Sequence, residues 1–527
     1  MIVTRNFFNG ISPTQKSPTQ NHLIVSNTAF RPPDSSAQLI SKSFYLPRTA
    51  SIEPEQEQSQ KRVWRRQHRD LLLDTFHQNH RLRKLLSDLS DKDSDPLRLL
   101  EKYEDWDANQ FWLVATFLVE NNRVDEVLQV FDVWTKRETS RMNANNYSKI
   151  IQLLSKEGSM ERTMEAFVNM ERNGVAATVV IYNFVVNGFA KRGEFEHAKE
   201  TIAKMEEIGV MPTSQTYNGL LRAYGEHRMF DEMSKCVKKM VLDGCSSNEV
   251  TYNLLIVQFA KGGLFERMEG ICRTLSSKKM KLLPSTLIVM LEAYTDVGIL
   301  EKMEAIYRRI SNGVVNWFLN ENLIRKMAVV YIENYRFGRL QQFGNELRSM
   351  TTAAATRKTE LLWCIQLIAS ARLPTRKGLD SVLQEMDNSN VKLSITLINT
   401  LAFAYLKMKD LGYLDGLLCT IGEKDAGIKP DMVTVGLLFD ACNVGYDGSR
   451  SLDIWKRKGF LDQVAETRTD PLVLTAFGKG SFLTRCEDLF TALLPEDRGK
   501  KTWMYSDLLR MLFSDNLSKL KPKTHRG

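Results

Sequence analysis

The amino-acid sequence predicts an all-α fold, a solenoid built from helix-turn-helix repeats of about 35 residues. Two observations support this fold class. Apolar residues recur every 35 residues through the middle of the chain, at Tyr147, Tyr182, Tyr217, Tyr252 and Leu287. Methionine, glycine and lysine columns keep the same spacing. A constant period in the thirties is typical of stacked helical repeats, in which each unit buries its apolar face against its neighbours.

The first helix of each repeat is predicted from apolar residues that follow the tyrosine at helical spacing. In one repeat these residues are Tyr182, Val185, Val186 and Phe189, which would share one face of a helix. A glycine eleven residues after the tyrosine, such as Gly193, suits the left-handed conformation that ends many helices.

The second helix is predicted to open with an apolar residue followed by an acid, as in Phe195-Glu196. Negative charge in a first turn interacts favourably with the helix dipole. A degenerate repeat is expected before the regular ones. There Phe111 takes the place of the tyrosine, Asn122 takes the place of the glycine, and Val124 begins the second helix.

The ends of the chain differ from this regular part. Residues 1–52 are rich in Ser and Thr, carry several basic residues and contain one acid, Asp34, which is typical of an organellar transit peptide. Sparse arginines favour a plastid over a mitochondrion, and an ordinary disordered tail is the alternative. The remaining segments are expected to be an N-terminal helical cap at 53–106, the regular repeats at 107–312, divergent helical repeats at 313–448 with an interruption around 350–380, and a C-terminal helical cap at 449–527.

Composition restricts the function only loosely. A formal net charge of +9 is compatible with a polyanionic partner but does not require one. No apolar run approaches the roughly 18 residues that a membrane span needs. The seven cysteines form no Cys-x-x-Cys pair, so we interpret them as reduced thiols.

A polar stripe on the first helices carries the functional signal. It comprises the residue after each tyrosine and the residues four and eight positions later. The amides of this stripe can donate to and accept from a base edge, and its cations can neutralise phosphates. Helix capping by the asparagines is the alternative, disfavoured because three of them share one column beside a lysine column. The stripe consists of Ser148, Gln152 and Lys156; Asn183, Asn187 and Lys191; Asn218, Arg222 and Glu226; and Asn253, Val257 and Lys261.

These repeats resemble pentatricopeptide repeats. The resemblance rests on Val180-Ile181-Tyr182-Asn183 and Val250-Thr251-Tyr252-Asn253 and on the Met-x-x-x-Gly closures at 205–209 and 240–244, and it is specific from Asn143 to about Asn312. It is closest to the P class of land-plant organelles, in a chloroplast subfamily. The resemblance implies a right-handed α-solenoid, monomeric and without cofactor, that binds single-stranded organellar RNA one base per repeat. Other organellar RNA-processing proteins are further candidate partners.

The resemblance also implies roles for individual residues. Base reading falls to the residue after the tyrosine and the last residue of the repeat, and asparagine at the first of these implies a pyrimidine. The implied pairs are Ser148 with Thr178, Asn183 with Thr213, Asn218 with Asn248, and Asn253 with Leu283. Val180 and Val250 match the apolar wedge between bases, whereas Asn145 and Gln215 depart from it. We expect phosphate contacts from Lys156, Lys191, Arg222 and Lys261.

Beyond Leu287 the stripe becomes acidic, with Glu292, Asp296 and Asp440. Carboxylates repel phosphates, so reading is expected to be confined to about four bases. The favoured function is RNA binding that supports transcript processing, splicing, stability or translation. The alternative is a protein-binding scaffold in an organellar RNA–protein complex, which the acidic stripe favours.

Catalytic and metal sites are not expected. The chain lacks the His-x-Glu and Cys-x-x-Cys elements of zinc deaminases. Asp74, His77 and His80 would lie along one side of a helix, but we interpret them as a solvated polar face because no further ligand is near. The basic segment 61–66, which includes Trp64, is likewise interpreted as a solvated face, although it could contact RNA.

Overall fold

The computed structural model describes residues 83–85, 87–90, 94–103, 106–312, 319–350, 356–372, 376–423, 428–492 and 503–513. The predicted transit peptide, the basic segment 61–66 and the Asp74, His77 and His80 group lie outside these residues. Across the described ranges the fold is helical, and Val464 and Met504 form an isolated β-bridge. None of the helices in these ranges is long and apolar enough to cross a membrane. The predicted all-α class is confirmed.

The chain divides into two compact units at Leu282 and Leu283. We call residues up to Leu282 the N-terminal unit and residues from Leu283 onward the C-terminal unit. The helices of the N-terminal unit are α1 (Pro96–Lys102), α2 (Ala108–Glu120), α3 (Val124–Arg137), α4 (Ala144–Lys156), α5 (Met160–Arg172), α6 (Val179–Lys191), α7 (Phe195–Glu207), α8 (Ser214–Glu226), α9 (Phe230–Leu242), α10 (Glu249–Lys261) and α11 (Phe265–Ser277).

The predicted repeat is present in the N-terminal unit as pairs of antiparallel helices. Its first helices, α4, α6, α8 and α10, pack one on the next, and each second helix, α5, α7, α9 and α11, packs on its own first helix. The periodic tyrosines Tyr147, Tyr182 and Tyr217 are fully buried between them. This burial removes large apolar surfaces from water at every repeat boundary and explains why the tyrosine column is regular.

The turns between paired helices also follow the prediction. Gly158, Gly193 and Gly263 take left-handed backbone conformations with φ of 80°, 82° and 71°. Asn122 takes the same conformation with φ of 58°. Phe111 of α2 is buried and stacks on Trp134 of α3, so α2 and α3 form a packed helix pair where the degenerate repeat is expected.

The C-terminal unit continues with helix pairs of less regular spacing. Its helices are α12 (Pro284–Val297), α13 (Leu300–Ser311), α14 (Glu321–Glu333), α15 (Phe337–Met350), α16 (Thr356–Arg372), α17 (Arg376–Asn388), α18 (Ile395–Lys407), α19 (Leu411–Glu423), α20 (Met432–Cys442), α21 (Ser449–Arg457), α22 (Pro471–Phe477), α23 (Gly480–Ala492) and α24 (Tyr505–Phe513).

The interruption expected around 350–380 is wrong for most of that interval, which is occupied by α16 and the start of α17. Every residue from Leu361 to Ser370 is buried, so α16 is enclosed on all sides. A helix that is buried all round has no polar face, and its sequence therefore lacks the amphipathic period that identifies the other helices.

Candidate nucleic-acid interface

The predicted base-reading residues occupy two fixed places in the repeat. Ser148, Asn183, Asn218 and Asn253 are each the fifth residue of a first helix, and we call this place the fifth position. Thr178, Thr213, Asn248 and Leu283 are the N-cap residues of α6, α8, α10 and α12, and all four are exposed. The asparagine at 248 also has a local role, because its Oδ1 accepts a hydrogen bond from the backbone N–H of Thr251.

Two of the fifth-position asparagines are buried and bonded within the protein. Asn183 is 3% exposed, and its Oδ1 accepts a hydrogen bond from Thr216 Oγ1 at 2.6 Å. Asn253 is equally buried, and its Nδ2 donates to the carbonyls of Glu249 and Lys281 at 2.8 and 3.0 Å. Both amides are therefore held by bonds within the protein, and the bond between Asn183 and Thr216 joins two neighbouring repeats.

Asn218 differs from its counterparts. Its Oδ1 is buried and has no hydrogen-bond partner, and the same is true of Asn187 Oδ1 in the preceding first helix. A buried acceptor that lacks a donor carries an unpaid desolvation cost, which a ligand N–H could relieve. Ser148 is half-buried. Among the four fifth-position side chains, Asn218 is thus the one with a buried amide oxygen that has no partner within the described part of the protein.

A row of exposed cations runs along the first helices. Lys156, Lys191 and Lys261 are the last residues of α4, α6 and α10, and Arg222 lies one turn before the end of α8. Lys191 Nζ donates to the main-chain carbonyl of Lys156 at 3.0 Å, so this side chain also caps the neighbouring helix. Within the described part of the chain, no carboxylate forms an ion pair with any of these four residues.

Several cations of the second helices are instead paired with carboxylates. One ion pair crosses each boundary between neighbouring second helices, at N–O distances between 2.8 and 3.7 Å. The two helix layers therefore differ in available positive charge, although both contain basic residues. The pairs are Arg162 with Asp125, Lys204 with Glu171, Lys239 with Glu206, and Arg267 with Asp231.

The predicted wedge residues are exposed apolar side chains. Val180 and Val250 are 50% and 54% exposed, and each is the second residue of its first helix. Neither side chain contributes to the core, so both are free to contact a ligand. The polar side chains Asn145 and Gln215 are exposed at the same place in α4 and α8.

The acidic stripe predicted beyond Leu287 does not present free carboxylates throughout. Asp296 forms an ion pair with Lys326 at 2.5 Å. Asp440 accepts hydrogen bonds from the backbone N–H groups of Ser481 and Phe482 at the start of α23. Lys326 therefore neutralises Asp296, and Asp440 binds backbone N–H groups at the start of α23, so neither carboxylate is free to repel a phosphate.

The sequence analysis missed one pair of residues in the C-terminal unit. Asn399 is the fifth residue of α18, and Asp431 is the N-cap of α20, the next first helix. They occupy the places that Asn218 and Asn248 hold in the N-terminal unit, and Asn399 Nδ2 donates to Asp431 Oδ1 at 3.0 Å. The first helices α18 and α20 start more than 35 residues apart, so a strict period of 35 does not place this pair in the columns of the regular repeats. Counting from the start of each helix does.

The cysteines are free thiols, as expected for a reducing compartment. Burial raises the pKa of Cys236, Cys364 and Cys486 to about 12, so these thiols are protonated and poorly reactive near neutral pH. Among the residues that the structure describes, no three His, Cys, Asp or Glu side chains are grouped closely enough to hold a metal ion.

The chain is similar in sequence to known proteins. The family model described as the pentacotripeptide-repeat region of PRORP matches residues 119–296. A chloroplastic pentatricopeptide repeat-containing protein of Arabidopsis thaliana is 50% identical over 439 residues, which cover 83% of this chain and 86% of the relative. Chloroplastic pentatricopeptide repeat-containing protein 10 of Zea mays is 32% identical over 81 residues, or 15% of this chain and 10% of the relative.

Solved structures of maize PPR10 are also similar. The RNA-free structure has a TM-score of 0.43 at 20% identity, covering 88% of this chain and 68% of PPR10. The structure in complex with an 18-nt psaJ RNA element has a TM-score of 0.40 at 20% identity, covering 76% of this chain and 61% of that chain, less than two thirds of its length.

The fold and the site define a helical-repeat protein with a polar, basic surface on its first helices. The chain belongs to the pentatricopeptide repeat family, as the extent of its identity to the Arabidopsis relative shows. Both curated relatives are chloroplast proteins, which supports the predicted plastid localisation.

Proposed function

We propose that this protein binds single-stranded RNA in the chloroplast through the first helices of its N-terminal unit. The observation that carries the proposal is the difference between the two helix layers. The cations of the first helices have no carboxylate partner in the described ranges, whereas an ion pair crosses each boundary between second helices. Unpaired cations attract a phosphate backbone, and neutralised ones contribute little.

The other side chains of this surface suit a strand of bases. Exposed valines at 180 and 250 offer apolar contact to base faces, and the partnerless Oδ1 of Asn218 can accept from the N4 amino group of cytosine or the N3–H of uracil. Thr216 fixes the orientation of the Asn183 amide through its Oδ1, which would preorganise it for one base edge. We therefore propose base contacts by the pairs Asn183 with Thr213 and Asn218 with Asn248, and weaker discrimination at Ser148 with Thr178 and Asn253 with Leu283.

In this proposal the protein acts by occupancy and not by catalysis. One copy of the chain would hold a strand open, shield it from nucleases or prevent it from folding. This action would support processing, splicing, stability or translation of a plastid transcript. Four base contacts are too few to select one site among many competing ones, so other organellar proteins would supply the remaining specificity.

Charge reversal tests the proposal. We expect the triple variant Lys156→Glu, Lys191→Glu and Lys261→Glu to lose most of its affinity for an oligouridylate strand in a filter-binding assay. Its dependence on salt should also flatten, since each lost phosphate contact lowers the slope of log K against log salt by about 0.7 for a single strand.

The matched control changes the same charge on the second helices, with Lys199→Glu, Lys235→Glu and Lys238→Glu in exposed positions of α7 and α9. This control should keep its affinity within about threefold, because its charges lie away from the proposed strand. Equal loss in both variants would show a non-specific effect of net charge, and no loss in either would contradict the proposal.

A protein-binding scaffold is the second candidate function. It is favoured by exposed apolar side chains where α7 and α9 end, since Ile208, Met211 and Leu242 are 54%, 61% and 84% exposed. The sedimentation of the protein in a chloroplast extract separates the two functions. Sedimentation that changes on ribonuclease treatment supports RNA binding, and sedimentation that resists the treatment supports the scaffold.

A further inference from the structure

In the C-terminal unit, part of the chain itself lies against fifth-position residues of the first helices. Residues 465–483, which we call the C-terminal segment, follow the fifth positions of three first helices. Asp470 pairs with Arg325 of α14 at 2.8 Å, and Thr469 Oγ1 accepts from Asn399 Nδ2 of α18 at 2.6 Å. At the fifth position of α20, Gly436 has no side chain, and a Cβ there would lie 3.1 Å from the ring of Phe482.

The side chains of Asn399 and Asp431 form their hydrogen bonds with each other and with the C-terminal segment. Asp431 is fully buried, and its Oδ1 accepts from Asn399 Nδ2 and from both the backbone N–H and the hydroxyl of Thr434. Its Oδ2 accepts from the backbone N–H groups of Arg468 and Thr469 at 2.9 and 2.8 Å and from the Thr469 hydroxyl at 2.7 Å. Both carboxylate oxygens are therefore satisfied by the protein, and half of their donors come from the C-terminal segment.

The segment is also anchored by apolar packing. Leu472, Val473 and Leu474 of α22 are buried, and the ring of Phe477 stacks on Phe403 of α18 with centroids 5.3 Å apart. Arg372 of α16 donates to the carbonyl of Ala476 at 2.8 Å. Removing the segment would expose this apolar surface and would leave the Oδ2 atom of the buried Asp431 carboxylate without hydrogen-bond donors. Both changes cost free energy.

From these contacts we infer that the C-terminal segment is a permanent occupant of the first-helix face in the C-terminal unit. It takes the place of a bound strand, uses the Asn399 and Asp431 pair as its own anchor, and confines RNA contact to the N-terminal unit. The statement that RNA contact is confined to the N-terminal unit rests on the proposed RNA binding. The fixed position of the segment is independent of RNA.

Two asparagines at equivalent positions provide the test. Asn218→Ala, in the N-terminal unit, should weaken binding of oligouridylate about 3- to 10-fold, the effect of one lost hydrogen bond, and should leave the unfolding midpoint nearly unchanged. Asn399→Ala should lower the unfolding midpoint by a few degrees, because it removes a bond to a buried carboxylate, while the Kd for oligouridylate stays within about twofold.

An Asn399→Ala variant that folds and loses as much RNA affinity as Asn218→Ala would overturn the inference. Failure of the unaltered protein to bind RNA at all would contradict the proposed function. The fixed position of the C-terminal segment would then be tested by hydrogen exchange alone.

Hydrogen exchange of the unaltered protein serves as that second measurement and does not depend on a variant folding. Amides at 468–477 should be strongly protected, with the same protection in the presence of saturating oligouridylate. Rapid exchange of these amides in the free protein, or a loss of protection on RNA binding, would show that the segment leaves the face and would overturn the inference.

Discussion

Thr216 Oγ1 donates a hydrogen bond to Asn183 Oδ1 across the boundary between two repeats. Thr216 belongs to α8 and Asn183 to α6, and both side chains are buried. A candidate base-reading amide is therefore oriented by the next repeat and not by its own. This arrangement couples the geometry of the proposed RNA surface to the packing of neighbouring first helices.

We expect Thr216→Val to destabilise the protein by about 1–3 kcal/mol, because the buried Asn183 Oδ1 loses its donor and the backbone N–H of Thr213 loses its acceptor, while the shape of the side chain is kept. Urea unfolding measures the change. Thr201→Val is the control, since the Thr201 hydroxyl is half-exposed and bonds only to a carbonyl of its own helix. Equal stability of the Thr216→Val variant and the unaltered protein would show that the two bonds of this hydroxyl contribute nothing.

The left-handed turn at Gly193 predicts that two glycine-to-alanine substitutions will change the free energy of unfolding in opposite directions. Its φ of 82° is unfavourable for any residue with a Cβ, so Gly193→Ala should cost about 1–2 kcal/mol of unfolding free energy. Gly270→Ala should act in the opposite direction and stabilise by about 0.5–1 kcal/mol, because Gly270 lies inside α11 with open space around it. Thermal unfolding of both variants checks the signs, and a shared sign would contradict this account.

Asp243 predicts a pH dependence. Partial burial raises the pKa of Asp243, but hydrogen bonds from Lys239 and Tyr217 outweigh this effect and hold the pKa below its usual range. A carboxyl with a lowered folded-state pKa stabilises the protein above its unfolded-state pKa, near 4, and this contribution is lost as the pH falls through the folded-state pKa.

We therefore expect Asp243→Asn to cost up to about 1 kcal/mol at pH 7, with a difference from the unaltered protein that shrinks steadily below about pH 4. Urea unfolding at a series of pH values measures it. A difference that stays constant down to pH 3 would contradict the assignment of this effect to the ionised carboxylate.

The exposed valines predict a loss of binding without a loss of stability. Val180→Asp with Val250→Asp should weaken oligouridylate binding about 10-fold or more, because carboxylates replace apolar contacts beside phosphates. Stability should hold, since both residues lie in first turns, where an acid is favourable. Val241→Asp with Leu242→Asp adds the same charge at exposed positions of α9 and should leave RNA affinity unchanged. Similar affinities of the two double variants would contradict the proposed wedge role.

Much of the fold could be predicted from the sequence because the repeat is local. The tyrosine column, the helix starts at Phe195 and Phe265 and the left-handed turns depend on residues close in the chain, and the structure has them where the spacing indicates. The enclosed helix α16 could not be recognised, because its burial on all sides removes the periodic signal.

The state of the site side chains could not be predicted, for a different reason. The hydrogen-bond donor to Asn183 is the hydroxyl of Thr216, 33 residues away in the sequence. The acceptor for Asn399 is the hydroxyl of Thr469, 70 residues away in a segment that has no repeat. Arg325 and its partner Asp470 are 145 residues apart. Periodicity identifies which residues share a column, but it carries no information on what a non-repetitive segment will cover.

Mapping of crosslinked peptides would show where the RNA strand lies on the protein. The unaltered protein would be irradiated with single-stranded RNA that contains 4-thiouridine, and the modified peptides would be identified by mass spectrometry. If RNA binds along the first helices of the N-terminal unit, we expect crosslinks to peptides of α4, α6, α8 and α10, with Val180 and Val250 among the modified residues. Crosslinks confined to α5, α7, α9 and α11, or to the first helices of the C-terminal unit, would contradict it.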